Sequence, residues 1–344
     1  MNKVRKLIVW CGLMAASLTA ASAQSSKDLR VYVIDVEGGQ STLFVTPAGQ
    51  SLLIDTGWPD NHGRDADRIV AAAKKAGISK IDYLLITHYH TDHVGGVPQL
   101  AARIPIGTFI DHGPNFETSD KATEDGYEAY QKLLASGKYG HLTPKVGEIL
   151  PIQGMTALVV SSNGNLLDHS LPGGGEQNVF CKSSETRTAD KTENSHSLGV
   201  LITFGKARIL DLGDLTWDKE MQLMCPVNRL GHVPVLIVSH HGWYQSSSPA
   251  LVDAIHPQAA FMDNGETKGG SKPTLKTFQK VPRLEALWQL HYSKEGGADN
   301  TDVKYIANLQ GTDTGHDIEF TLSPAGTLTV LNSRTGEKLN YTVK

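Results

Sequence analysis

Thr87-His88-Tyr89-His90-Thr91-Asp92-His93-Val94-Gly95-Gly96 follows an apolar, strand-like run over residues 81–87 and precedes a stretch with helical spacing. Side chains two apart on an extended segment point the same way, so His88 and His90 can grip one ion. Asp92 and His93 come after a turn and can reach a second. Imidazole and carboxylate are ligands that suit Zn²⁺, and also Mn²⁺ or Fe²⁺. Four such groups within six positions, placed just past a buried strand, point to a metal site rather than to a polar capping loop.

Working outward, three apolar runs precede this segment, at residues 31–36, 41–46 and 51–55. Pro47-Ala48-Gly49-Gln50 separates the last two as a turn, so they form a hairpin that ends in Asp55-Thr56-Gly57. Residues 64–76 carry helical spacing and stop at Gly77. The second half repeats the plan. Residues 198–204 and 208–212 form a hairpin ending in Asp211-Leu212-Gly213-Asp214, a helix follows over 217–224, and the run 235–239 leads into His240-His241. The two series lie about 155 residues apart and share order rather than identity. Two hairpin-based sheets packed face to face, with helices outside, would bring both sets of strand ends to one edge of an α/β sandwich.

Between the halves, residues 112–190 are rich in glycine and polar residues, with a helix expected over 124–135, and they read as an insertion. Residues 275–290 have the pattern of a surface helix. Residues 318–322 and 327–332, split by Ser323-Pro324-Ala325-Gly326, read as a C-terminal hairpin.

At the other end, Lys3, Arg5 and Lys6 precede an uncharged apolar run and Ala21-Ser22-Ala23, the pattern of a signal peptide over residues 1–23. The expected mature chain is a single domain, 24–344, exported to the periplasm or beyond. No integral membrane segment is expected after cleavage. Cys181 and Cys225 remain, and pairing and two free thiols are equally compatible with the sequence. Two cysteines are too few for a thiolate cluster, so a metal here must sit on His and Asp.

Of the 344 residues, 40% are hydrophobic and 20% charged, which excludes a disordered chain. The net charge of −4 becomes more negative without the three basic residues of the leader. That excludes a strongly basic nucleic-acid coat and leaves nucleic acid dependent on a local basic patch, for which Lys74, Lys75, Lys80 and Arg103 are available.

His-x-His-x-Asp-His followed by Gly-Gly resembles the metallo-β-lactamase fold superfamily. Four further motifs agree in order with the pieces above: Asp55-Thr56-Gly57, Asn194-Ser195-His196-Ser197, Asp211-Leu212-Gly213-Asp214 and Ser239-His240-His241-Gly242. The resemblance implies a four-layer αβ/βα sandwich of two mixed sheets with outer helices. It implies two divalent ions, zinc first and manganese or iron as alternatives. His88, His90 and His196 would hold the first ion, Asp92, His93 and His240 the second, and Asp214 would bridge them. Asp55 would support the ligand loop from behind. His240 and His241 compete for one ligand role; His240 is assigned to the metal and His241 to the substrate side.

Asp35-Val36-Glu37-Gly38-Gly39-Gln40 and Ser239-His240-His241-Gly242 resemble most the soluble hydrolase domain of bacterial DNA-uptake channel proteins, a branch that often lacks a histidine at the place of His196. The chemistry implied is hydrolysis by a metal-bound hydroxide, since bound ions lower the pKa of water from 15.7 toward about 7. Asp92 and Asp214 would stay ionised beside the ions, and His241 or Tyr244 would protonate the leaving group. A phosphodiester is the expected substrate class. Lactone or thioester hydrolysis is the alternative, with β-lactam hydrolysis disfavoured by the bridging Asp214. A di-iron oxygen enzyme would place Glu where His90 stands. His62 sits on a polar loop and reads as solvated, and the remaining histidines carry no spacing signal.

Overall fold

The computed structural model describes residues 27–59, 61–311 and 313–343. The signal segment expected over 1–23 lies outside them. Nine described strands form one mixed sheet: β1 (Leu29–Val33), β2 (Thr42–Val45), β3 (Ser51–Ile54), β4 (Ile81–Leu85), β5 (Ile106–Ile110), β6 (Gly140–Leu142), and from the C-terminus β17 (Ile318–Leu322), β18 (Thr327–Asn332) and β19 (Lys338–Thr342). Their order is β19-β18-β17-β1-β2-β3-β4-β5-β6, antiparallel up to β3 and parallel beyond it.

The second sheet contains β7 (Thr156–Ser162), β8 (Asn165–Leu166), β10 (Gly199–Phe204), β11 (Ala207–Asp211), β13 (Val235–Ile237), β14 (Ala259–Met262), β15 (Ala286–His291) and β16 (Ile306–Asn308), in the order β16-β15-β14-β13-β11-β10-β7-β8. From β11 to β16 its neighbours are parallel. A small ladder joins β9 (Glu176–Gln177) to β12 (Val227–Asn228).

Period-two alternation sorts each strand's side chains between two interiors. On β1, Leu29, Val31 and Val33 enter the core between the sheets, while Tyr32 faces the outer layer. Across that core Phe261 on β14 stacks on Phe320 on β17, with ring centroids 4.5 Å apart. The outer face of the first sheet is covered by α1 (Arg64–Lys75), α3 (Val97–Ala101) and α4 (Lys121–Leu134); α2 (Thr91–Val94) carries the ligand motif. The second sheet is covered by α5 (Trp217–Met224), α6 (Pro249–Ile255) and α7 (Lys272–Phe278). Four layers follow: helices, sheet, sheet, helices. The carboxyl ends of β3, β4, β11, β13 and β14 release the loops that carry the candidate ligands, where open α/β sheets characteristically bind.

Three expectations change. Residues 275–290 are not one helix: Pro282 cannot continue a helical ladder, and the chain beyond it becomes β15, buried on both faces. The C-terminal hairpin gains a third strand, β19, and joins the first sheet beside β1. The stretch 112–190 supplies β6 to one sheet and β7 to the other, between irregular loops.

Candidate metal centre

The site begins with Asp55, at the end of β3 in a left-handed conformation (φ 59°). Its carboxylate accepts the Thr87 backbone N–H at 2.8 Å and the Thr87 hydroxyl at 2.6 Å, and faces His93 Nδ1 at 2.7 Å. Burial pushes the Asp55 carboxyl up in pKa, against the opposing pull of His93. A carboxylate on Nδ1 makes that nitrogen the donor and turns Nε2 outward as a lone pair. His93 Nε2 lies 3.4 Å from Asp92 Oδ2 and 3.3 Å from Asp214 Oδ2. His88 is fully buried, with Nε2 at 3.9 Å from Asp214 Oδ2. Burial, then repulsion from His93 and His90, holds its pKa well below the usual imidazole range, so its ring is neutral.

Asp214 follows Gly213, whose positive φ of 56° sets a tight corner. A Cβ there would fall 2.7 Å from that of Thr87. His240 and His241 both adopt left-handed backbone, φ 57° and 53°, at a cost of about 1–3 kcal/mol each. Their backbones are tied by His240 N–H to Gly213 O at 3.1 Å and Gly270 N–H to His241 O at 2.8 Å. The result aims both rings at Asp214 Oδ2, at 3.4 and 3.5 Å. Asp214 Oδ2 therefore has four imidazole Nε2 atoms around it. His241 Nε2 also lies 3.0 Å from Asp92 Oδ2, and its Nδ1 faces Asp263 at 3.3 Å.

Lys268 closes the site. Its ammonium donates to Gly38 O at 2.9 Å, pairs with Asp92 Oδ2, and lies over the Trp58 ring at 5.3 Å. The loop that delivers it is pressed against His241: a Cβ on Gly269 would lie 2.2 Å from His241 O. Burial alone would raise the Asp92 carboxyl, but Lys268 and His93 hold it well below the usual range. Asp214 is likewise held low by His93, His240 and His241 against its burial.

One ligand atom each from Asp92, His93, Asp214 and His241 falls within 4.8 Å of the others. The buried Nε2 atoms of His88, His93 and His241, and Asp214 Oδ1, have no hydrogen-bond partner among the described residues. Buried polar groups without partners are costly. Imidazole lone pairs converging on carboxylate oxygens are the donor set of a divalent cation, so the residues fit the metal that the motif implies.

The expected ligands divide. His88, Asp92, His93, Asp214 and His240 converge here, but it is His241 rather than His240 that joins the tight group, and His241 is too buried to face substrate. His90 turns its Nε2 to Glu117 Oε2 at 2.9 Å. The Nδ1 of His196 meets Asn163 Oδ1 at 3.0 Å, and its ring stacks on Phe116 with centroids 3.9 Å apart. Among the described residues it has no hydrogen bond or ion pair with His88, His90 or Asp214. Tyr244 is half exposed, and His62 lies on an exposed turn.

Asp263, Lys268 and Glu117 were not anticipated. Asp263 had a signal, since it ends a strand run as Asp55 does; the other two lie in loops without one. Cys181 and Cys225 form a disulfide, their Cα atoms 5.9 Å apart.

Residues 35–180 match the family described as Metallo-beta-lactamase superfamily. The chain is 24% identical to Recombination protein 2 of Haemophilus influenzae over 75% of its own length and 27% of that protein's. It is 23% identical to Competence protein ComA of Neisseria gonorrhoeae over 77% of its length and 31% of that protein's. It thus spans less than a third of either relative. Among solved structures, the metallo-beta-lactamase fold protein YhfI of Bacillus subtilis aligns with 76% of this chain and 94% of its own, at 13% identity and a TM-score of 0.46.

Proposed function

For a chain whose residues 35–180 match the Metallo-beta-lactamase superfamily and whose buried His and Asp residues could hold a metal ion, we propose hydrolysis of phosphodiesters at a two-metal centre, in an exported protein. The observation that carries the two-metal reading is Asp214 Oδ2, set 3.3–3.9 Å from the Nε2 atoms of His88, His93, His240 and His241. One carboxylate oxygen surrounded by imidazoles from two motifs supports a centre that would hold two ions. His93, His241, Asp92 and Asp214 would hold one ion, and His88 and His90, with Asp214, the other.

Bound ions would supply Lewis acidity and a nucleophilic water at neutral pH. The protein's own groups do the rest. Asp55 aims His93, Asp263 stands 3.3 Å behind His241, and the low pKa of His88 and of His240 (about 4, through burial) keeps their lone pairs free. With Asp92 holding an ion, the partly exposed Lys268 ammonium would be free to bind the non-reacting oxygens of an anionic diester. That charge, with similarity to proteins named for recombination and competence, supports the phosphodiester class. Export is supported by the leader pattern and agrees with the Cys181–Cys225 disulfide.

The test combines metal analysis with a substrate screen. Purified protein is expected to hold two ions of zinc, manganese or iron and to cleave bis(p-nitrophenyl) phosphate. Asp214→Ala should lower that rate by about a thousandfold or more. Cleavage of nitrocefin, a lactone or a thioester without diesterase activity would overturn the substrate class. Failure to bind any metal would overturn the reading as a whole.

A further inference from the structure

We propose that a cleft beside the metal centre binds a positively charged alcohol of the diester, so that the substrate is a zwitterion such as a choline phosphodiester. The inference rests on the phosphodiester reading above and names the class of alcohol that this diester carries.

A cleft of about 420 Å³ lies between residues 185–190, the start of α5 and residues 244–245. Each wall continues a segment that reaches the metal centre. Thr216 comes two residues after Asp214, so with Cα atoms about 3.8 Å apart that wall begins within about 8 Å of the Asp214 Cα. Tyr244 follows His241 by three residues, past a turn closed by the Trp243 N–H on His240 O at 2.6 Å. The third wall runs on to Asn194, whose Nδ2 stands 3.5 Å from His240 Nε2. The cleft therefore adjoins the place where a phosphoryl group would be held.

Its walls are fixed to one another without a ligand. The Trp217 indole N–H donates to Glu185 O at 2.9 Å, and its backbone N–H to Gln245 O at 2.8 Å. Arg187 lies 3.5 Å over the Trp217 ring and donates to Tyr244 O. The Cys181–Cys225 disulfide, with the Asn178 amide on Met224 O at 2.9 Å, pins the same segment to the end of α5. Preformed walls spare a ligand the cost of ordering them.

Charge selects the occupant. Among the described residues that line the cleft, Arg187 is the one cation, and it is engaged by the Trp217 face, by Tyr244 O and by Glu185 Oε2 at 3.2 Å. Against it stand three carboxylates, Glu185, Asp190 and Asp218. Asp218 Oδ1 accepts the Thr216 hydroxyl at 2.7 Å, while its buried Oδ2 has no hydrogen-bond partner among the described residues. Such a surface repels a second phosphate and attracts a cation. The half-exposed Tyr244 adds an aromatic ring, the kind of group that holds quaternary ammonium ions.

The experiment compares two esters that differ in charge but not in shape: p-nitrophenyl phosphorylcholine and its carbon isostere, 3,3-dimethylbutyl p-nitrophenyl phosphate. Hydrolysis of either releases p-nitrophenol. The wild-type full chain should prefer the choline ester by about fivefold to tenfold in kcat/KM, and added salt should erode the preference. The double variant Glu185→Gln, Asp218→Asn leaves one carboxylate against one guanidinium and should bring the ratio close to one. A ratio measured on one sample is insensitive to a partly unfolded fraction, so lost folding does not imitate this result. A wild-type ratio of one or below, or an unchanged ratio in the double variant, overturns the proposal. Faster cleavage of a single-stranded oligonucleotide than of the choline ester overturns it as well. If bis(p-nitrophenyl) phosphate is cleaved and neither ester is, this inference fails alone; if no diester is cleaved, the phosphodiester reading fails and takes it along.

Discussion

His93 touches a carboxylate on each side: Asp55 at Nδ1, and Asp92 and Asp214 at Nε2. His241 repeats the arrangement with Asp263 behind and Asp92 in front. The Asp55 carboxylate fixes the His93 tautomer and makes that ring a better donor, and Asp263, 3.3 Å from His241 Nδ1, would do the same once an ion draws on Nε2. Asp263→Asn should therefore weaken metal binding by about tenfold to a hundredfold, with little change in melting temperature for the metal-free chain. Calorimetric titration with zinc checks this; an unchanged dissociation constant would show that Asp263 does not orient His241.

Among the elements, α5 shows how a distant group supports the centre. Glu220 on this helix is fully buried and accepts the N–H groups of Ser247 and Ser248 at 2.8 and 2.6 Å, which anchors the loop after His240-His241. Burial pushes its carboxyl from 4.5 up to about 7, against those hydrogen bonds. Between these values the folded protein binds more protons than the unfolded chain, so the stability contributed by Glu220 falls as pH rises through that window. The loss is on the order of 2–3 kcal/mol by pH 7.5. Glu220→Gln should flatten the decline of stability between pH 4.5 and 7 by that amount. Urea unfolding of wild type and variant across this range measures it, and parallel curves would count against the assignment.

At the scale of the whole molecule, two sheets share one apolar interior and place their strand ends along one edge. Phe261 and Phe320 meet across it, one from each sheet. Phe261→Ala should cost about 3–5 kcal/mol, read by chemical denaturation. Because Asp263 directly follows β14, the loss of that packing should loosen the His241 support and lower metal affinity too. A large loss of stability with unchanged metal affinity would show the edge to be independent of the core. Among the described residues, no helix is long and apolar enough to cross a membrane.

What the sequence determined by itself is the part that depends on local register. Alternation and turn residues placed β1–β4, β10, β11, α1 and α5, and a ligand directly beyond a strand end inherits its position from that strand. His88, Asp92, His93 and Asp214 were legible for this reason, as was the competition between His240 and His241. Only the tertiary structure shows that both rings turn to one oxygen, because two consecutive left-handed residues are held there by Gly213 and Gly270. It also set His196 against Phe116 and Asn163, and brought Glu117, Asp263 and Lys268 to the site. Those groups arrive through contacts between segments far apart in sequence, such as Gly269 pressed on His241. Period and composition carry no trace of such contacts. The addition of β17–β19 beside β1 is likewise a long-range pairing, fixed by burial of the shared core and not by either segment alone.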